Sequence, residues 1–384
     1  MVLIMIKVAI MGFGTVGSGV VDVLSENADI ISRGANEEIS VKYILDVRDF
    51  PDSPWKHLLV NDFSVIEADP EVRIVVETIG GIGIAYEFTK RCLAAGKSVI
   101  TSNKELVAKK GYELLKLAIE NNANYLFEAS VGGGMPIVRP ISQCLAANRI
   151  DEIFGIMNGT TNYILTQMIE CAESFDVALK GAQDRGFAEQ DPTADIEGID
   201  AQNKISILSD LCFGRHINPE NVKTEGITGV SLQDVEIASR MGYKIKLIGR
   251  AKRMADGKIS AYVAPHLISV KSLIANVSGV MNAIVVRGNA LGEAMFYGPG
   301  AGSLPTASAV VADVIDAAKH LSARKYLGWE AEEADFAVDS DLIESRWYIR
   351  NTDRVTVTEE SMSGTDAKKF TADMDVRAIY RILE

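Results

Sequence analysis

"KVAIMGFGTVG", residues 7–17, decides the fold: an apolar, β-branched run breaks directly into Gly12, Gly14 and Gly17 at GxGxxG spacing, and an amphipathic stretch follows. Strand, glycine turn and helix in that order make a place where a pyrophosphate meets bare main-chain N–H groups at the positive end of a helix. A Cβ on the first glycines would block the turn. A lone GxGxxG is weak, because a tight structural turn has the same composition; its context decides.

That context is a βαβ rhythm. Short apolar runs "VKYIL" (41–45), "VRIVVETI" (72–79), "KSVIT" (97–101) and "NYLFEA" (124–129) alternate with amphipathic stretches at Val16–Ile31, Tyr86–Ala95 and Leu106–Glu120. The runs are too apolar to alternate inside and outside, which predicts parallel strands covered on both faces. The fold class is α/β: an N-terminal Rossmann-type doubly wound parallel sheet over about residues 1–135. From Ile150 the pattern changes to longer helical stretches, broken by "NGTTN" (158–162) and by strand-like "YKIKLIGRA" (243–251) and "KISAYVAP" (258–265). A second, α+β domain is expected over 136–300. The glycine-rich turn and helix "YGPGAGSLPTASAVVADVIDAAKHL" (297–321) returns to the first domain, which is completed by about 300–328; residues 329–384 form a short C-terminal extension.

Composition excludes several classes. With 384 residues, 47 % of them hydrophobic, the chain can bury more than one core. Its apolar start, "MVLIMIKVAIMGFG", lacks a basic n-region and a cleavage site, so it reads as a buried strand rather than a signal peptide. No run is long enough to span a bilayer. A formal charge of −13 repels polyanions, so no nucleic-acid partner is expected. Cys92, Cys144, Cys171 and Cys212 are scattered, which suits a reducing, cytoplasmic compartment. His57, His216, His266 and His320 lie far apart in sequence, so a histidine-built metal site or a Ser-His-Asp triad has little to stand on.

The segment "GFAEQDPTADIEGIDAQNK" (186–204) packs Glu189, Asp191, Asp195, Glu197 and Asp200 ahead of Lys204. A calcium loop fails on spacing, since position 3 from Asp191 is Thr193 and position 6 is Ile196. Zinc fails for want of histidine or cysteine nearby, and magnesium on loose carboxylates stays open but unsupported. If a helix runs from about Ile196 to Cys212, Asp200 and Lys204 project among Ile207, Leu208 and Leu211 on its apolar arc, with Gln202, Ser206, Ser209 and Asp210 opposite. A solvated ion pair belongs on the polar face; a pair on the buried face costs desolvation and points to function.

Two lysines are candidates for proton chemistry, Lys104, after the fifth strand, and Lys204. After the second strand, Asp46 could hold the ribose hydroxyls of NAD, or Arg48 the 2′-phosphate of NADP; the two readings compete.

"AAGKSVITSNKEL", "FEASVGGGMPIV", "GIMNGTTNYIL", "GFAEQDPTADIEGIDAQNK" and "YGPGAGSLPTASAVVAD" follow one another as in homoserine dehydrogenases, which the chain resembles over roughly 5–325. The resemblance implies the NAD(P)-dependent interconversion of L-homoserine and L-aspartate 4-semialdehyde, in aspartate-family (threonine and methionine) biosynthesis. It places Phe13, Thr15, Val16, Arg48, Thr78, Ser102, Lys104, Gly186 and Gly300 or Gly302 at the nicotinamide nucleotide. It assigns Glu189 to the substrate and Lys204 to proton transfer, with Asp200 beside it. It also implies a monovalent cation, sodium or potassium, at Glu128 and the main chain around Val131, Gly133 and Met135, and a homodimer, with 136–300 as the catalytic and dimerisation domain.

For a substrate with an α-ammonium and a carboxylate, Glu189 can accept the ammonium, main-chain N–H groups of a glycine-rich loop can receive the carboxylate, and Asp195 can support either. Asp191, before a proline, shapes the turn, and Glu197 suits a helix's first turn. Two other functions compete. A thioester-forming aldehyde dehydrogenase needs an activated cysteine, and nothing cationic adjoins Cys144. A nucleotide-binding sensor without turnover would not need Lys204. The 329–384 tail is too short for a full amino-acid-binding regulatory domain, so it is expected as a strand-rich extension on the nucleotide domain or on a neighbouring subunit.

Overall fold

The computed structural model describes residues 5–321 and 327–384. The first four residues of the apolar start, and residues 322–326 of the segment expected to complete the first domain, lie outside the described residues. The chain divides into two units, Met1–Cys144 with Ala301–Ala331, and Leu145–Gly300 with Glu332–Glu384.

The first unit is built on β1 (Met5–Met11), β2 (Glu38–Leu45), β3 (Leu59–Val60), β4 (Val72–Glu77), β5 (Ser98–Thr101) and β6 (Tyr125–Leu126). All pair in parallel, in the order β3-β2-β1-β4-β5-β6. Val8, Ile10, Ile74, Val76 and Ile100 have no exposed surface. Each such side chain contributes roughly 1.5–3 kcal/mol on leaving water, which explains why these strands show no polar alternation. The strand order reverses between β1 and β4, so the ligand crevice of a doubly wound sheet opens at their carboxyl ends.

Helices, numbered along the chain, are α1 (Thr15–Glu26), α2 (Ala28–Ala35), α3 (Ser64–Ala68), α4 (Gly83–Ala94), α5 (Lys104–Glu120), α6 (Ala129–Gly132) and, returning late, α12 (Ser303–Lys319). The stretch Val16–Ile31, which reads as one amphipathic run, is thus two helices broken at Asn27. Helix α12 packs on α1 closely enough that a Cβ on Gly19 would stand 2.7 Å from Ser303 Oγ.

The second unit holds α7 (Gly159–Cys171), α8 (Phe175–Asp184), α9 (Thr193–Ile196), α10 (Ile199–Phe213), α11 (Leu232–Arg240) and α13 (Gly364–Phe370). Its strands are β7 (Ile150–Ile156), β8 (Lys223–Thr224), β9 (Tyr243–Arg253), β10 (Ile259–Ser269), β11 (Met281–Gly288), β12 (Gly292–Pro299), β13 (Arg346–Asn351), β14 (Val355–Val357) and β15 (Val376–Leu383). They form a mixed sheet in the order β12-β11-β7-β9-β10-β15-β13-β14, with β8 also on β10. This is the second layer of the α+β unit.

The unit boundaries differ from those drawn on sequence. Residues 136–144 stay with the first unit because the N–H groups of Ile137, Val138 and Arg139 donate to buried Glu128, and Arg139 pairs with Asp313. The C-terminal extension divides: residues 329–331 stay with the first unit, where the Trp329 ring meets Phe127, and from Glu332 the chain belongs to the second unit, where β15 pairs in parallel with β10, His266 opposite Arg381 and Ile268 opposite Leu383. Asp234, wholly buried, receives Arg350 Nε at 2.6 Å and the Tyr348 hydroxyl at 3.0 Å, tying β13 to α11. No described helix is long and apolar enough to cross a membrane.

Candidate active site

In the first unit the glycine turn has the shape a pyrophosphate requires. Gly12 has φ +96°, and a Cβ there would stand 2.8 Å from the Thr78 main chain; at Gly17 it would stand 2.0 Å from the Gly12 carbonyl. Only glycine lets α1 begin so close to β1, which leaves the turn as a bare cradle at the helix start. Phe13, Thr15 and Val16 lie on it. The Thr78 hydroxyl donates to Gly12 O at 2.9 Å and fixes the next loop against the turn.

Asp46 is engaged by its own neighbours. Its carboxylate accepts the N–H of Phe13 (2.8 Å), the N–H of Arg48 (2.9 Å), Arg48 Nε (3.0 Å) and Arg48 Nη2 (2.9 Å). Four donors fill the four lone-pair positions of a carboxylate, so none is left for ribose hydroxyls. The Arg48 hydrogen bonds hold its carboxyl well below the usual range, so it remains an anion. Asp46 thus clamps Arg48, whose guanidinium lies against Gly14 and over the Phe50 ring.

The next loops are organised by a residue that the motif reading passed over. Glu77, with no exposed surface, accepts the N–H of Ile79 (2.8 Å) and of Gly80 (3.3 Å) and the Thr101 hydroxyl (2.6 Å). Thr101 Oγ1 in turn accepts the N–H of Asn103. Asn103 Oδ1 caps α5 at Leu106 N (3.1 Å), and its amide donates to Gly81 O. Ser102 and half-buried Lys104 sit at that capped helix start.

Glu128 does not present an open carboxylate to a cation. Three main-chain N–H groups occupy it at 2.6, 2.8 and 2.7 Å, leaving one of about four lone-pair positions. The residues after it are not one loop: 129–132 form α6, and Gly133 turns at φ +57°. Among the described residues no group of three or more His, Cys, Asp and Glu is placed to hold a metal. Gly302, at φ +120°, opens α12 in the first unit. Gly300 ends the second, where a Cβ would stand 2.0 Å from Asn282 Nδ2.

The second unit holds the lysine cluster. Lys204 Nζ lies 2.8 Å from Asp200 Oδ2 and donates to Met157 O at 2.8 Å, and both side chains are buried. The Asn158 amide donates to Asp200 Oδ2 (3.0 Å) and to Asp195 Oδ1 (2.6 Å), while Asn158 Oδ1 caps α7 at Thr161 N (2.8 Å). Burial pushes the Asp195 carboxyl up, with the Asn158 hydrogen bond opposing. Asn158 is thus the centre of the cluster and was not singled out in the sequence; an asparagine ahead of "GTT" at a helix start was its one signal.

The helical argument for Lys204 needs correction. Helix α10 begins at Ile199, not Ile196, because Gly198 adopts φ +82° and separates it from α9. The expected polar side is not solvated either: Ser206, Ser209 and Asp210 have no exposed surface. Packed against β7, β9 and β10, α10 is buried nearly all round, so the pair's burial comes from the helix's place in the unit rather than from a polar-apolar division. Glu197 falls between α9 and α10, outside any first turn; Asp191 accepts Thr193 N and Oγ1, shaping the turn. Glu189 is exposed, and Gly186 turns at φ +73° in the open.

A doubly wound nucleotide cradle in one unit and a buried lysine–carboxylate cluster in an α+β unit define the class: a two-domain nicotinamide-dependent oxidoreductase. The homoserine dehydrogenase NAD-binding domain model matches residues 12–128, and the homoserine dehydrogenase model matches 136–315. The chain is 42 % identical to homoserine dehydrogenase of Bacillus subtilis (strain 168), over 82 % of this chain and 73 % of that protein. The crystal structure of a homoserine dehydrogenase from Thiobacillus denitrificans is similar with a TM-score of 0.91 and 35 % identity, covering 100 % of this chain and 99 % of that one. A hyperthermophilic archaeal homoserine dehydrogenase in complex with NADPH gives 0.70 and 32 %, over 82 % and 98 %. This chain belongs to the homoserine dehydrogenase family, and its activity is that of an NAD(P)-dependent oxidoreductase.

Proposed function

We propose that Lys204 is the proton-transfer residue for the interconversion of L-homoserine and L-aspartate 4-semialdehyde, and that NADP is the preferred nucleotide. The observation that carries the first reading is the buried Lys204–Asp200 pair. An ammonium has three N–H donors; Asp200 and the Met157 carbonyl take two, which leaves the third for a substrate oxygen. When bound at the glycine turn, the nucleotide supplies the hydride. Lys204 gives its proton to the oxygen that gains charge and takes it back in the reverse direction. Asp200 holds the ammonium in place. Asp195 and exposed Glu189 are the carboxylates for the substrate ammonium, and the first-turn N–H groups of α7 suit its carboxylate.

NADP preference is supported by the saturation of Asp46 and by the guanidinium it presents beside Gly14, a planar donor suited to a 2′-phosphate. The relative solved with NADPH is consistent with that. Gly302, Thr78, Ser102 and Lys104 complete the nucleotide side. A sodium or potassium ion would have the last lone-pair position of Glu128 and the carbonyls of Val131, Gly133 and Met135, all hard oxygen donors. A homodimer is supported by exposed Met295 and Tyr297 on β12, the edge of the second sheet, and a cytoplasmic setting by free cysteines. Purified protein given aspartate semialdehyde with NADPH or NADH, followed by nucleotide absorbance, tests the reading. NADPH is oxidised faster at equal concentration; no oxidation of either nucleotide overturns it.

A further inference from the structure

We propose that Glu77 is the positioning residue for the nicotinamide half of the nucleotide site, and that its buried negative charge favours the oxidised nucleotide over the reduced one. The inference rests on the nucleotide reading above.

Topology says where that half lies. The pyrophosphate belongs at the glycine turn after β1, and Arg48, after β2, marks the adenosine side. The other half of a dinucleotide therefore runs the opposite way along the carboxyl edge, over the ends of β4 and β5. Those ends are Glu77 and Thr101, direct partners in the sheet register. Glu77 ties together the three segments that meet there. It takes the main-chain N–H groups of the 79–80 loop, its neighbour Thr78 is bonded to the glycine turn, and through Thr101 and Asn103 it reaches the start of α5, where Ser102 and Lys104 sit.

The chemistry of its partners gives the second half of the proposal. The donors to Glu77 are two main-chain N–H groups and a hydroxyl, all neutral. They favour the anion against burial, which pushes the carboxyl up, and do not cancel its charge. Burying an anion costs far more than burying an amide or an apolar side chain of the same size, and a sheet end has no need of one. Such a group is expected where charge is used. The nicotinamide ring is a cation when oxidised and neutral when reduced, so a fixed anion below it within about 10 Å discriminates by roughly three- to tenfold in affinity.

The test is a calorimetric titration of the intact protein with NADP⁺ and with NADPH, for wild type, Glu77→Gln and Thr101→Val, with melting curves recorded for each. Glu77→Gln keeps the shape and removes the charge: Kd(NADP⁺)/Kd(NADPH) rises about three- to tenfold. Thr101→Val keeps the charge and removes one neutral donor: the ratio stays within about twofold of wild type. Should Glu77→Gln not fold, Glu77→Met, also uncharged and of similar volume, carries the same expectation. Equal weakening of both nucleotides by the uncharged variants, or the same rise in Thr101→Val, overturns the charge proposal. A wild-type protein that binds neither nucleotide overturns the nucleotide reading itself, and this inference with it.

Discussion

Lys204 Nζ stands 2.8 Å from Asp200 Oδ2, one helical turn earlier on α10, and both side chains are buried. The pair is costly by itself, and its value lies in holding one charged donor at a fixed point. Lys204→Met lowers kcat by about two to four orders of magnitude. It also leaves Asp200 without its cation, at a cost of about 3–5 kcal/mol of stability. Adding Asp200→Asn restores stability in a urea melt but not turnover. A double variant that regained activity would remove Lys204 from the chemistry.

Asn158 links the cap of α7 to both carboxylates, so its two roles can be separated. Asn158→Asp keeps an acceptor for Thr161 N–H but sets a third carboxylate against Asp195 and Asp200. Turnover falls more than about tenfold and the protein melts earlier, since a buried carboxylate replaces two buried donors. Asn158→Ala loses the cap as well and costs about 1 kcal/mol. Steady-state kinetics beside thermal melts distinguish the two.

Arg48 and Asp46 should separate the two nucleotides. Removing the guanidinium in Arg48→Ala raises the KM for NADPH by about tenfold or more and leaves that for NADH nearly unchanged. Asp46→Asn weakens the clamp and produces a smaller loss in the same direction. Equal losses for both nucleotides would mean that Arg48 only shapes the turn.

The raised Asp195 carboxyl gives a pH expectation. Burial favours its neutral form, so it takes up a proton at higher pH than an exposed aspartate. A substrate ammonium needs the anion, so kcat/KM for homoserine falls as the medium is acidified through that raised value and is restored above it. Asp195→Asn lowers kcat/KM and abolishes this acid limb in a pH–rate profile.

Arg350 is half of a pair whose other half, Asp234, is wholly buried. Arg350→Ala strands that carboxylate and destabilises the second unit by about 3–5 kcal/mol, measured by urea denaturation. If the extension were an accessory flap, the melt would not move.

The first unit was legible because its evidence is local. Consecutive apolar residues, a GxGxxG turn and the spacing of strands and helices are properties of short segments, and a parallel sheet imposes them directly. Lys204 stood out for a weaker reason: the motif order marked it, but the side of α10 expected to be polar is buried, since a helix's burial on its far side depends on strands distant in the chain.

Sequence by itself determined the main strands of the first unit, the glycine cradle and the candidate charges, because these follow from neighbouring residues and from steric rules on each one. Tertiary structure alone decided how those charges are spent. Asp46 is filled by Arg48 and Phe13, Glu128 is held by three main-chain N–H groups, and the extension enters the second sheet beside β10. The physical reason is that hydrogen-bond valence and desolvation are settled by which groups meet in space, across sequence separations that no local pattern encodes.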